Sequence, residues 1–195
     1  MNNKEKELVE SAITGTFMWS FKKGDNIVYN FEILWELYKA RGAEQSRTHY
    51  YNKPITLLIV AIIECIFDDF INRVGQHVYD KIPNLTSKEI NLIRAKKLDK
   101  LDHYISIAKK YNLFDKDASF YETLDFLRRA RNRFHIQNSL HQLDADESNV
   151  FTTSTRIEAE KAFEIVLETM MVKFPRKHSH SISFKDVPLP WKVFP

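Results

Sequence analysis

Over most of the chain, hydrophobic residues fall at three- and four-residue spacing, the period of an amphipathic α-helix. Residues 3–14 are charged, then weakly apolar, and read as a first helix. Residues 15–24 carry Phe17, Trp19 and Phe21 and read as a loop or short extended piece. From about 27 to 41, Ile27, Phe31, Leu34, Trp35 and Tyr38 share a stripe; Asp25 or Asn26 can cap that helix and Gly42 end it. The stretch 54–74 is apolar nearly all round, which predicts a central buried helix. Asn52 and Pro54 open it and Gly75 closes it. Glu64 and Asp68, four apart, share one of its faces.

Three capping boxes punctuate the rest: Thr86-x-x-Glu89, Ser119-x-x-Glu122 and Thr155-x-x-Glu158. The first opens a helix, in one or two pieces, that continues to about Tyr111. The second opens the arginine-rich stretch LDFLRRARNRFHIQ, residues 124–137. The third opens a long helix to about Phe174, with Ala159, Ala162, Phe163, Val166, Leu167, Met170 and Met171 inward. Residues 138–152 are polar and acidic, a loop. The last segment, 175–195, has four prolines and reads as extended. The expectation is an all-α bundle of about four to six helices with an extended C-terminal arm. Residues 1–53 form a helical segment packing on a core of 54–174, and 175–195 form the arm.

Composition narrows the function classes. A chain of 195 residues with 44% hydrophobic residues has ample material for one core. The net charge of +3 permits a nucleic-acid partner without arguing for one. Cys65 is the single cysteine, which excludes an intrachain disulfide and a cysteine-rich zinc site and fits a reducing cytoplasm. The run from Ile55 to Phe67 is 13 residues and includes Thr56 and Glu64. A spanning helix needs about 20, so no membrane partner is expected. Residues 1–10 have no apolar signal-peptide core. With four glycines there is no loop to cradle a nucleotide triphosphate, and no P-loop, Rossmann fingerprint, HExxH or nucleophile elbow is present; no cofactor or metal is expected.

One stretch breaks the packing pattern. Wound at 100° per residue, Phe120, Leu124, Leu127 and Phe134 share a stripe, and Arg131 falls inside it. His135 comes one turn later on nearly the same face. Arg128 borders the stripe, while Arg129 and Arg133 point away. An arginine on a core-facing line needs a partner or a cavity, because an unpaired buried charge is costly. A guanidinium beside an imidazole also suits phosphate chemistry: the fork grips phosphoryl oxygens and the ring moves a proton near neutral pH. The alternative is structural, with Arg131 paired to Glu64 or Asp68 and His135 satisfied at a helix C-terminus. Two weaker candidates are the cationic residues Arg94, Lys96, Lys97, Lys100, Lys109 and Lys110, which could track a phosphate backbone, and His178 with His180 in the tail.

The stretch LRRARNRFHI resembles the signature of the HEPN superfamily (higher eukaryotes and prokaryotes nucleotide-binding). There a core helix carries an arginine, often followed by Asn, and then a histidine after four to six positions. Arg131-Asn132 resembles the Arg-Asn pair and His135 the histidine, although three residues separate them. Arg129 and Arg128 give five and six. AIIECIFDDF resembles the acidic element of an earlier core helix in that superfamily, with Glu64 at the matching position and Asp68 or Asp69 next. The resemblance covers roughly residues 54–174. It implies a homodimer with a shared RNA-binding cleft and metal-independent endoribonuclease activity in a toxin, antiphage or other stress system. An antitoxin would be the partner of a toxin. It also implies the alternative of an inactive domain that binds RNA or protein. Arg131, Arg128 or Arg129 would hold the scissile phosphate, His135 would act as acid and base, Asn132 would orient the site, and Glu64 would support the arginine or histidine.

Overall fold

The computed structural model describes residues 1–76, 85–96, 98–133, 143–179 and 182–194, apart from the side chain of Gln45. Among the described residues every regular element is helical: α1 (Asn3–Ile13), α2 (Phe21–Ala43), α3 (Asn52–Gln76), α4 (Ser87–Arg94), α5 (Leu101–Lys110), α6 (Ala118–Asn132), α7 (Glu147–Val150), α8 (Thr153–Lys173) and α9 (Pro190–Val193). Short 3₁₀ stretches fill Gln45–Tyr51 and Phe184–Asp186. The all-α expectation holds. The count exceeds four to six because the stretch expected in one or two pieces forms two, α4 and α5, and because α7 and α9 are four-residue turns inside segments expected to be irregular.

α3 is the axis of the bundle. It packs most extensively on α8 and α2, and on α5 and α6 across its other flank. Being surrounded, it is apolar on nearly every face: Ile55, Ile59, Ile63, Ile66, Phe67 and Phe70 are buried. Along its middle, a narrow ridge of Ala61, Glu64, Cys65, Asp68 and Asn72 reaches solvent. The stripe read on α2 is buried as expected, from Ile27 to Tyr38. One contiguous hydrophobic cluster runs from Val9 on α1 to Leu189 near the C-terminal end. A small satellite of Ala130, Val150 and Phe151 fastens α7 to the end of α6.

Helix ends obey local chemistry, not always at the expected residue. Thr86 and Glu89 cap α4 reciprocally, as read. α2 begins six residues before the expected start, because Ser20 and not Asp25 or Asn26 is its N-cap. Gly24 therefore sits inside the first turns of that helix, where it lets α1's Thr14 approach: a Cβ built on Gly24 would lie 2.3 Å from Thr14 Cγ2. The second and third boxes are not the caps. Asp117 caps α6, with Ser119 donating to its carboxylate at 2.6 Å, and Thr152 caps α8. Each supplies its oxygen a few residues earlier, so the helix starts there and the later Ser119 and Thr155 become helical residues.

The C-terminal segment is not an extended arm. Its two helical turns return to the bundle, and Val187, Leu189 and Pro190 are buried. Trp191 stacks near Tyr38 and Phe163, and Phe194 meets Trp35 edge-on. Glu164 of α8 accepts hydrogen bonds from Trp191 Nε1 at 2.6 Å and Lys192 Nζ at 2.8 Å. The prolines break long helices but fit a segment that must turn twice to lie across α2 and α8.

Candidate functional site

The final turns of α6 bring four arginines to one end of the bundle. A helix C-terminus carries partial negative charge, so cations there are favoured before any side-chain partner is counted. Arg128 donates from Nε and Nη2 to Asp125 Oδ1 at 2.9 and 2.7 Å. Arg129 Nε stands 3.2 Å from Asp125 Oδ2, so one carboxylate one turn back gathers both. Arg131 faces α3, as its phase required. Its Nη2 lies 2.6 Å from Glu64 Oε2, and its Nη1 donates at 3.5 Å to Asn132 Oδ1.

The Arg131–Glu64 pair is not sealed. The side chains are 41% and 24% exposed. The packing stripe of α6 thus continues into an ion pair open to water, and not into a buried charge. Arg133 differs from its expected outward position. It is 9% exposed and donates to the carbonyls of Asp144 and Ala145 at 2.7 and 3.0 Å, tying the α6 end to the segment before α7.

That contact coincides with the end of the helix. α6 runs to Asn132 with Arg133 as its C-cap, and the expected continuation to 137 lies outside the described residues. His135 and Phe134 lie outside the described residues. Lys97 and His180 do so as well. His178 is exposed beside a tight turn closed by Ser179 N–H donating to the Arg176 carbonyl.

Along the α3 ridge, one turn from Glu64, Asp68 accepts from Lys23 Nζ, from the Tyr104 hydroxyl at 2.6 Å and from Asn72. Desolvation pushes the Asp68 carboxyl up. The hydrogen bonds from Lys23 and Tyr104 outweigh it and hold the group below the usual aspartate range. Burial, and then the bond to Asp68, push the Tyr104 phenol up, so it stays protonated as a donor. Neither Lys23 nor Tyr104 was singled out from sequence. The available signal was the Glu64/Asp68 spacing itself, since a second ridge carboxylate also needs partners. Asp68 is not an Arg131 partner. Asp69, its neighbour, turns inward and accepts the backbone N–H groups of Trp19 and Ser20 at 2.7 and 2.9 Å. Cys65 lines a shallow cavity with Asn26, Ile27, Asn30, Ala61 and Ile62; burial raises its thiol to about 11, so it is a thiol and not a thiolate near neutral pH.

A second charged cluster was missed entirely. Glu160 and Arg156, one turn apart on α8, are buried against each other and against the Tyr38 hydroxyl. Its signal was an Arg-x-x-x-Glu spacing inside the inward stripe of the last long helix. This cluster lies under the returning C-terminal segment and is structural.

Among the described residues, no three His, Cys, Asp or Glu side chains gather as a metal site would need, and no helix is long and apolar enough to cross a membrane. No family model matches the chain, and no curated protein or solved structure matches it either.

Proposed function

We propose that the protein is an HEPN-like, metal-independent endoribonuclease, of toxin or antiphage type, acting in the cytoplasm as a homodimer. The observation that supports this reading is the half-exposed Arg131 guanidinium, held by Glu64 at the open end of α6. Glu64 engages Nη2 and fixes the plane of the fork. Among the described residues, the Nη1 side makes only the long contact to Asn132, which a phosphate oxygen can displace. His135 follows four residues later, and four residues of chain reach at most about 14 Å, so its ring can stand over a phosphate bound at Arg131.

The chemistry asked of these groups is modest. The substrate's 2′-oxygen attacks phosphorus, and the bond to the 5′-oxygen breaks. One imidazole takes the 2′-hydroxyl proton; a protonated one, on the same or the partner subunit, gives a proton to the leaving oxygen. Arg131 offsets the charge that grows on the non-bridging oxygens.

The test is incubation of the purified protein with mixed RNA in EDTA, beside His135→Ala and Arg131→Ala. Cleavage should be lost in H135A and fall by at least about 100-fold in R131A, with unchanged thermal melts. Cleavage that persists in H135A overturns the assignment. A monomer by sedimentation counts against the shared cleft. E64Q should alter stability by less than about 1 kcal/mol, because the pair is solvent-screened, while lowering cleavage through the misplaced fork.

One observation favours a second reading, a silent RNA- or protein-binding domain. Arg128, Arg129 and Arg131 each stand within 3.2 Å of a carboxylate, and α6 ends before the histidine. Intact RNA with the wild type, together with RNA binding that R131A weakens, selects it.

A further inference from the structure

The stretch from Arg94 to Lys110 concentrates the positive charge of the chain. It holds six lysines and arginines against two aspartates, a formal +4 where the whole chain has +3, so the rest is close to neutral. It folds as the last residue of α4, the connection 95–100 and α5. The connection is fixed at both ends. The N–H groups of Ala95 and Lys96 donate to the Asn91 and Ile93 carbonyls at 3.1 Å, and the Tyr104 hydroxyl reaches the Leu98 carbonyl at 3.5 Å. Between this connection and α5 lies a cavity of about 340 Å³, lined by Lys96, Leu98, His103, Ser106 and Ile107. Small-molecule sites begin at about 300 Å³. The cavities beside Cys65 and Lys173, about 70 and 200 Å³, fall short of that.

Buried Ile107 and half-buried Leu98 give the cavity apolar walls. Three polar groups join them in the lining. The Lys96 ammonium is exposed and has no hydrogen bond or ion pair among the described residues. His103 is held from behind: its Nδ1 is shut off from water and stands 3.6 Å from Asp99 Oδ1, a carboxylate that does not line the cavity. The Nε2 edge is the one the ring offers to a ligand. Ser106, one turn on, shares that helix face. Its hydroxyl donates to the Asp102 carbonyl at 2.8 Å, which leaves its oxygen to accept.

We infer that this cavity binds a small phosphate monoester, its phosphoryl oxygens on Lys96 Nζ and His103 Nε2 and a compact apolar body against Leu98 and Ile107. Lysine meets phosphate as a point charge, whereas a planar carboxylate is the match of an arginine fork, and no arginine is in the lining among the described residues. A monoester, with a second pKa of about 6, also exposes a P–OH in its singly charged form. Ser106 can accept from that group; a carboxylate or a phosphodiester has none to give near neutral pH. The surplus of lysines around the cavity raises the local concentration of such an anion. The proposal uses none of the residues at the end of α6 and is independent of the nuclease reading.

The probe is phenyl phosphate, titrated by calorimetry into the full chain in phosphate-free buffer with EDTA near neutral pH. Saturable binding with a Kd of about 1 mM or tighter is expected, the range open to so small a ligand. Inorganic phosphate, which lacks the apolar body, and benzoate, which lacks the phosphoryl group, should each bind at least about 5-fold more weakly. K96Q and H103A should each weaken phenyl phosphate by at least about 5-fold. Both variants should melt with the wild type. An imidazole proton resonance that shifts on titration of the wild type, and is missing from H103A, puts the ligand at this ring.

The inference is overturned by no saturable binding, by binding that K96Q and H103A leave unchanged, or by benzoate bound as tightly as phenyl phosphate. Binding lost in R131A but kept in K96Q also overturns it, because the anion then sits at the end of α6. If H103A melts early, K96Q decides alone, since its ammonium has no partner to lose. Failure of the nuclease reading shows separately, as intact RNA in the cleavage assay with phenyl phosphate binding retained.

Discussion

Glu160 shows most sharply how single residues set the stability of this protein. It is 6% exposed, between the Tyr38 hydroxyl and the Arg156 guanidinium. Burial raises its carboxyl above the ordinary value against the opposing pull of Tyr38 and Arg156. A folded-state value above the unfolded one means that the native state holds the proton longer. Its contribution is therefore complete below the unfolded value of 4.5 and is lost as pH rises through the folded value. Urea titrations of the wild type and E160Q across this range should show that pH slope only in the wild type. Arg156→Met, which leaves a buried carboxylate without its cation, should cost about 3–5 kcal/mol at neutral pH. Asp68 runs the other way. Its lowered value gives stability present above the unfolded 3.8 and lost as pH falls through the folded value, and D68N should remove that acid limb.

At the scale of elements, the meeting of α1 and α2 tests whether close approach or helix propensity rules at Gly24. Alanine there meets Thr14 Cγ2. Thr14 is held by its Oγ1 donating to the Glu10 carbonyl at 2.6 Å, so it cannot swing away freely. Gly24→Ala should cost about 1–3 kcal/mol in the wild type. In a Thr14→Ser background, which removes the methyl, the same change should gain up to about 1 kcal/mol, because only helix propensity is left. Chemical denaturation of the four proteins in this cycle reads the sign change. The same scale explains what could be read beforehand. α3 was legible because nothing but a surrounded helix needs apolar residues on every face. The cap of α4 was legible because Thr86 and Glu89 cap each other reciprocally, which a single upstream oxygen does not match. The starts of α6 and α8 were misplaced because Asp117 and Thr152 offer equally good oxygens a few residues earlier, and periodicity alone does not choose among them. Arg133 was expected to point outward because the carbonyls it reaches lie more than ten residues away, a contact that no local pattern contains.

For the molecule as a whole, the informative error was the C-terminal segment. Local composition favoured an extended chain, but burial of Leu189 and Pro190, with the half-buried Trp191 packed on Tyr38 and Phe163, decided its shape. Removing residues 182–195 should uncover Trp35, Tyr38 and Phe163 and lower the melting temperature by several degrees. Dye binding to the exposed aromatic surface should rise in parallel. An unchanged melt would show that the returning turns contribute nothing to the fold. The candidate site was legible only in part for a related reason. Periodicity indicated that Arg131 faces α3, but whether that line ended in a sealed core or at a wet edge depended on where neighbouring helices stop.

That the last turns close over α2 and α8 has a consequence for synthesis. A nascent chain can form the early helices as they leave the ribosome, but the aromatic side of α2 waits uncovered until the turns at 184–194 have emerged. Until then the newborn protein presents apolar surface of the kind that chaperones bind.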